Sequence, residues 1–408
     1  MVRSSSCFLP FVNIFLFSQL HLEVQCTSFS TLLQVSYSPT VLERRFALRT
    51  LRNLGLGKRG LEHRVQEEAH YLVAFFASMK GKPLDPSFPL VHSVSNVICA
   101  VVFGHRFSRE DETFHELIRK LCGTTCVSLP QLYEIFPWLM CRLPGPHKKA
   151  LSCYEVLSSF TRREIRMHTE RGMPDEPQDF IDFYLAHIEK MSLPRSVFYI
   201  KINNNMVYSI NDLFLGGSET TSTTLIWGLL YMVANPDVQE KVQRELDAVL
   251  SPSQLICYED RKELPYTNAV VHEIQRFSNI ISVGMPRVCV RNTTLLGFPL
   301  KKGTIVLPNI ASSLYDPEQW ETPRQFNPGH FLDKDGNFVS QEAFLPFSVG
   351  HRVCLGEHLA RTELFIFFAS LLRAFTFRLP EGVTKISTEP ILGGTLQPHP
   401  YRLCAIPR

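Results

Sequence analysis

Phe347-Ser348-Val349-Gly350-His351-Arg352-Val353-Cys354-Leu355-Gly356 is a loop that runs directly into an apolar helical stretch, residues 357–375. A thiol placed there stands at the positive end of a helix dipole, with unpaired backbone N–H groups aimed at it, which favours thiolate over thiol. Gly350 and Gly356 allow the backbone to lie close to a flat partner. Arg352 offers a planar fork for a carboxylate. Thiolate, paired glycines and an anion-binding fork together suit an iron porphyrin with its propionates. A single cysteine before a helix is more often structural, so the rest of the chain has to decide.

The chain has 408 residues, 45% of them hydrophobic and 20% charged. Those proportions are globular and exclude a disordered chain, a fibre and a polytopic membrane protein. The length suits one large domain or two sharing a cleft. Lys+Arg 42 against Asp+Glu 39 leaves a formal charge of +3, too mild to argue for nucleic acid. Eleven cysteines, an odd number spread from Cys7 to Cys404, do not make a disulfide framework and point to a reducing compartment. Cys122 and Cys126 stand close together, but nothing completes a zinc set, so buried helical thiols are expected. The apolar residues 7–17 are broken by Pro10 and Asn13, short of the roughly 20 a bilayer span needs. Residues 364–372 are apolar but shorter still, between Glu363 and Arg373. No convincing membrane anchor emerges.

From Val41 onward the periodicity is mostly helical. Phe46, Ala47, Leu51 and Leu54 recur at helical spacing before a break at Leu56-Gly57-Lys58. Residues 65–79, 90–103, 111–121, 150–171 and 179–191 are amphipathic, with prolines at 130, 137, 144, 146, 174, 177 and 194 as punctuation. The longest predicted helix runs over residues 204–235, stopped by Pro236, and spans roughly 45 to 50 Å. Shorter helices follow at 236–250 and 265–278, then short strands within 280–308. Residues 316–348 have no period, and an irregular stretch of that length must be functional or pinned to something large. No internal repeat occurs, and no composition shift divides the chain after Val41.

Inside the longest helix lies Gly216-Gly217-Ser218-Glu219-Thr220-Thr221. Thr220 follows Gly216 by four residues, so its hydroxyl can reach the Gly216 carbonyl and loosen that turn, while the paired glycines leave room for a diatomic ligand. Glu219 and Thr220 make an acid and alcohol pair able to relay protons. Without the cysteine loop, a solvent-facing Glu beside a packing Thr would explain both. His272-Glu273 hints at a zinc-protease helix, but Arg276 stands where the second histidine is needed. Asp333, Asp335 and Gly336 read as a turn rather than a calcium loop, and Asn292-Thr293-Thr294 is a glycosylation sequon, irrelevant if the domain faces the cytosol. Arg44, Arg45, Arg49, Arg52, Lys58, Arg59 and Arg64 form the densest basic run, by default a solvated helix face.

The ten residues from Phe347 to Gly356 resemble the haem-binding loop of the cytochromes P-450, with Cys354 at the place of the axial ligand. Glu273-Ile274-Gln275-Arg276 looks like the Glu-x-x-Arg helix of that family, whose i,i+3 ion pair pins the meander before the cysteine. The Gly216–Thr221 stretch is similar to the oxygen-binding part of its central helix. Pro286-Arg287 lies where the family places a propionate-binding residue, and Arg44 matches the arginine of its Trp-x-x-x-Arg helix. The resemblance covers residues 41–408 and is closest to the vertebrate microsomal second family.

It implies a mainly α fold with a smaller β-rich region (α+β), the P-450 fold with its N-terminal elements missing. Residues 1–40 would be a divergent segment and 41–408 the haem domain. The implied activity is that of a monooxygenase, an oxidoreductase acting on paired donors. One atom of O2 enters an apolar substrate (xenobiotic, fatty acid or steroid) and the other becomes water. The implied cofactor is haem b on Cys354, with Arg44, Gly216, Arg287, Phe347, Gly350, Arg352 and Gly356 around it. Electrons would come from NADPH through cytochrome P-450 reductase, docking on the basic helix, with cytochrome b5 as a further partner. Glu219 and Thr220 would deliver protons. Phe214, Ile281, Val283, Met285, Ile391 and Leu392 would touch substrate. The implied place is the cytosolic face of the endoplasmic reticulum membrane. Thr40 replaces the family tryptophan and His330 a meander arginine. Two alternatives stay open: a truncated, catalytically silent haem-binding isoform, and a haem-thiolate isomerase, against which the Glu219-Thr220 pair argues.

Overall fold

Three prolines set the helical frame. Pro146, Pro236 and Pro265 each open a helix, where a missing N–H removes no hydrogen bond and the ring pre-sets φ. The computed structural model describes residues 24–26, 41–55, 59–122, 142, 145–190, 195–251 and 253–408. The break at 56–58, Cys126, the prolines at 130, 137, 144 and 194, and most of the segment before residue 41, Thr40 included, lie outside the described residues.

In chain order the helices are α1 (Val41–Asn53), α2 (Arg59–Ser78), α3 (Ser87–Val102), α4 (Glu112–Cys122), α5 (Pro146–Arg171) and α6 (Phe180–Lys190). After them come α7 (Arg195–Ala234), α8 (Pro236–Val249), α9 (Pro265–Ser278), α10 (Ile310–Leu314) and α11 (Glu357–Ala374). The expected helices are therefore present, most within a few residues at their ends, although α2 starts six residues early. α7 is longer than its periodicity indicated, with 40 residues, or about 60 Å.

The core forms where α7 crosses α3 and α11. On α3 every residue from Pro89 to Val102 is buried, the polar His92, Ser93, Ser95 and Asn96 included, so the stretch expected to be amphipathic shows no solvent-facing side there. A Cβ on Gly217 would lie 2.5 Å from Cδ1 of Ile98 on α3, so Gly217 is small in order to let two helices touch. That corrects the expectation that both glycines leave room for a ligand. The apolar run 364–372 is core as well, and among the described residues no helix is long and apolar enough to cross a membrane.

The β-rich part is small. β1 (Val24–Cys26), β2 (Arg287–Cys289) and β5 (Ile305–Val306) form one antiparallel sheet in the order β1-β2-β5. The stretch before residue 41 thus contributes a strand, which its sequence did not announce. β3 (Thr293–Leu295) and β4 (Phe298–Leu300) pair through a two-residue loop, Leu296 and Gly297, both at positive φ as a primed hairpin turn requires. β6 (Phe375–Arg378) pairs with β9 (Cys404–Pro407), and β7 (Pro390–Ile391) with β8 (Gln397–Pro398). Residues 316–348 stay irregular except for a 3-10 turn at Pro328–Phe331 and a bridge between Leu332 and Phe338. Asp333 accepts from the N–H groups of Asp335 and Asn337, the turn its sequence indicated.

Candidate functional site

The cysteine loop is shaped by its own backbone and by three arginines. Ser348 and Gly350 adopt positive φ, of 62° and 80°, and turn the chain between Phe347 and a 3-10 turn at Gly350–Arg352. Cys354 N–H donates to the Phe347 carbonyl at 3.0 Å, and Val353 N–H to that of Gly350 at 3.0 Å. Arg44 from α1 donates to the Val353 carbonyl at 2.7 Å. Arg287 from β2 donates to Ser348 Oγ at 2.9 Å. Arg361 from α11 lies 4.9 Å over the Phe347 ring, donates to Glu357 at 3.0 Å and bonds Nε2 of His272 at 3.1 Å. His272 has to be neutral to accept that bond, and burial together with Arg361 pushes its pKa down to about 4.

Cys354 itself is exposed, while Arg352 beside it is half-buried. Backbone N–H groups of Gly356 and Glu357 reach the sulfur, as a helix start should provide. Protein atoms nevertheless crowd the thiol, and that desolvation raises its pKa above the ordinary value, outweighing those bonds and the nearby Arg44. Ligation by a metal would take the sulfur as thiolate and release that proton.

On α7 the Thr220 hydroxyl donates to the Gly216 carbonyl at 2.8 Å, as the spacing predicted. Gly216 is exposed, and a Cβ there would meet nothing within 4 Å. Leu213 of α7 and Leu355 beside Cys354 pack against one small cluster with Leu51, Leu61 and Val101, which brings groove and loop into one neighbourhood. Glu219 and Thr220 do not bond each other. Glu219 accepts from Thr395 Oγ1 at 2.9 Å, and burial raises its pKa against the hydrogen bonds of Thr395 and Gln397.

Glu273 and Arg276 on α9 are both fully buried and joined by two bonds of 2.7 Å. Arg276 also donates to the carbonyls of Leu314, Pro323 and Gln325, and Glu273 accepts from Asn327 N–H at 2.8 Å. The irregular segment is pinned, as expected. His330, where an arginine was expected, contacts Glu273 at 3.2 Å.

The predicted substrate contacts divide. Val283, Met285 and Leu392 are 52%, 48% and 74% exposed, and Ile281 and Ile391 are half-buried. Leu396 N–H donates to the Ile280 carbonyl at 2.8 Å, so these two stretches adjoin. Phe214 is fully buried in the main core and faces no open surface. The basic run is divided between two helices: Arg45, Arg49 and Arg52 on α1 are exposed, whereas Arg44 of α1 and Arg64 of α2 turn inward to the carbonyls of Val353 and Ala100.

Two groups escaped the sequence reading. Thr395 and Gln397, in the hairpin after β7, reach Glu219 from far along the chain. Glu363 on α11 is 1% exposed, accepts from Thr221 of α7, and keeps Oε1 without a partner among the described residues. Burial holds its pKa well above the ordinary 4.5. The folded chain therefore keeps a proton that the unfolded chain releases above that value, and wild-type stability falls as pH rises. Glu363→Gln is expected to match wild type near pH 4 and to gain by at most roughly 1.4 kcal/mol per pH unit above it, read from melting curves. A difference independent of pH would remove this assignment.

An exposed sulfur in a pre-shaped loop, an uncluttered glycine on α7 and guanidiniums bonded to the loop at Val353 and Ser348 fit an iron porphyrin and its propionates. Comparison with known proteins agrees. Residues 30–405 match the family described as Cytochrome P450. "Cytochrome P450 2J2" of Homo sapiens is 47% identical over 370 residues, 90% of this chain and 73% of that protein. "Cytochrome P450 2J5" of Mus musculus is 46% identical over 369 residues, with the same two shares. "Cytochrome P450 2A11" of Oryctolagus cuniculus is 43% identical over 370 residues, 90% of this chain and 74% of that protein. With loop, groove and pinned meander in place, the chain belongs to the cytochrome P-450 family of haem-thiolate monooxygenases.

Proposed function

We propose that the chain oxidises an apolar xenobiotic, fatty acid or steroid, with electrons passed from NADPH by a flavoprotein reductase, at the cytosolic face of the endoplasmic reticulum membrane. The observation that carries this reading is the Thr220 hydroxyl diverted onto the Gly216 carbonyl of a helix whose Leu213 packs on the same cluster as Leu355 of the Cys354 loop.

Cys354 would ligate the iron, and Arg352, Arg287 and Arg44 would hold the propionates. Bound there, haem supplies the activation of O2, and thiolate donation favours O–O cleavage. The chain's own side chains do the rest. Thr220 offers its O–H at the loosened turn beside Gly216, and Glu219 holds the proton that replenishes it. Val283, Met285, Ile391 and Leu392 present apolar surface to the substrate, with Ile281 beside them, while Phe214 supports the groove from within the core. Arg45, Arg49 and Arg52 give an acidic reductase, or cytochrome b5, a basic face to dock on.

Reconstituted with reductase and NADPH, the protein is expected to consume O2 and hydroxylate a lipophilic probe. A thiolate-type carbon monoxide spectrum without any product would remove the monooxygenase reading and favour the silent alternative. Thr220→Val is expected to keep that spectrum while product per NADPH falls roughly tenfold or more. Unchanged coupling would take Thr220 out of proton delivery.

A further inference from the structure

Glu219, Thr223, Ile226 and Trp227 recur at helical spacing and mark one stripe along α7. The chain from the β7–β8 turn onward is strapped to that stripe. Thr395 Oγ1 donates to Glu219 Oε1 at 2.9 Å, and Gln397 Nε2 donates to Thr395 Oγ1 at 2.8 Å and to Thr223 Oγ1 at 2.7 Å. Trp227 Nε1 donates to the Leu396 carbonyl at 2.9 Å, and Tyr401 O–H to that of Ile226 at 2.6 Å. Thr395 is 5% exposed, so its hydroxyl has little water to turn to. Ile391 and Leu392 belong to the same hairpin.

We infer that Thr395 and Gln397 are positioning residues for the Glu219 carboxyl, holding it on the hairpin that faces the substrate rather than on the Thr220 groove. The inference rests on Glu219 serving proton delivery, as proposed above. Its physical content is a neutral clamp. Thr395 and Gln397 offer the donors that favour the ionised carboxyl, burial opposes it, and no charged side chain among the described residues contributes. Proton supply and hairpin position are then coupled, because the hairpin cannot lift without withdrawing the Glu219 donor.

Thr395→Val keeps the shape and removes the donor. The pH midpoint of the Glu219 carboxyl is expected to rise by about one unit. It is read in the isolated protein by infrared titration of the band that disappears in Glu219→Gln, and again in the alkaline limb of product per NADPH. Thr395→Ser is expected to restore both. Gln397→Met is expected to move them the same way by less, and keeps the test available should the valine variant fold poorly. In a Glu219→Gln background Thr395→Val is expected to change nothing further. An unmoved infrared midpoint, or an equal effect of Thr395→Val in that background, would overturn the clamp. Absence of NADPH-dependent product in wild type would defeat the proposed function instead, while the infrared midpoint would still decide whether Thr395 holds Glu219.

Discussion

Cys354→Ala is expected to abolish the thiolate-type Soret band of the reduced, carbon-monoxide-treated protein and to take product formation to background. The loss is total because Cys354 is the exposed free cysteine among the described residues. Among the described residues Cys99, Cys153 and Cys289 are buried, and Cys257 and Cys404 lie half-buried elsewhere. The substitution spares the fold. The Cys354 N–H bond to the Phe347 carbonyl is a backbone bond that alanine keeps, and only the contacts of the Gly356 and Glu357 N–H groups with the sulfur are lost. A melting temperature close to wild type, with the band gone, is therefore the expected pair of results. Cys257→Ala serves as the control and is expected to leave both unchanged. A thiolate band that survives in the Cys354 variant would sink the ligand assignment.

Glu273→Ala is expected to leave little soluble, haem-loaded protein. Removing one partner of a buried ion pair strands the other charge, at a cost of about 3–5 kcal/mol. That is a large share of the roughly 5–15 kcal/mol that holds a typical domain together. Arg276 uses all five N–H donors, two on Glu273 and three on the carbonyls of Leu314, Pro323 and Gln325. An ammonium has three donors and no fork, so Arg276→Lys is expected to fail nearly as badly. Glu273→Gln keeps the shape without the charge and should fall between. Yield, haem content and urea midpoints of the variants are the measurements. A Glu273→Ala protein that melts within a degree of wild type would show that the meander is held elsewhere.

These pairings divide by how local they are. Thr220 to Gly216 is an i,i+4 relation that helical geometry announced, whereas the i,i+3 pair of Glu273 and Arg276 was implied by the family resemblance. The aperiodic stretch 316–348 announced that something must pin it. Glu219 to Thr395 spans 176 residues, and no local period encodes such a meeting. The same holds for Gly217, small because of Ile98 on another helix. Phe214 was placed at the substrate by the family resemblance, and only packing shows it turned into the core.

The clasped ends of the cysteine loop have one more consequence. With Phe347 tied to Cys354 by a backbone bond, Ser348 held by Arg287, Val353 by Arg44 and the Phe347 ring covered by Arg361, the segment owes its outline to its own neighbours. Its freedom is lost when the chain folds, not when a guest arrives, so binding forfeits little entropy there. Such a mould also discriminates: a macrocycle of the wrong curvature or thickness meets a wall that does not remodel, and selectivity arises by refusal rather than by stronger attraction.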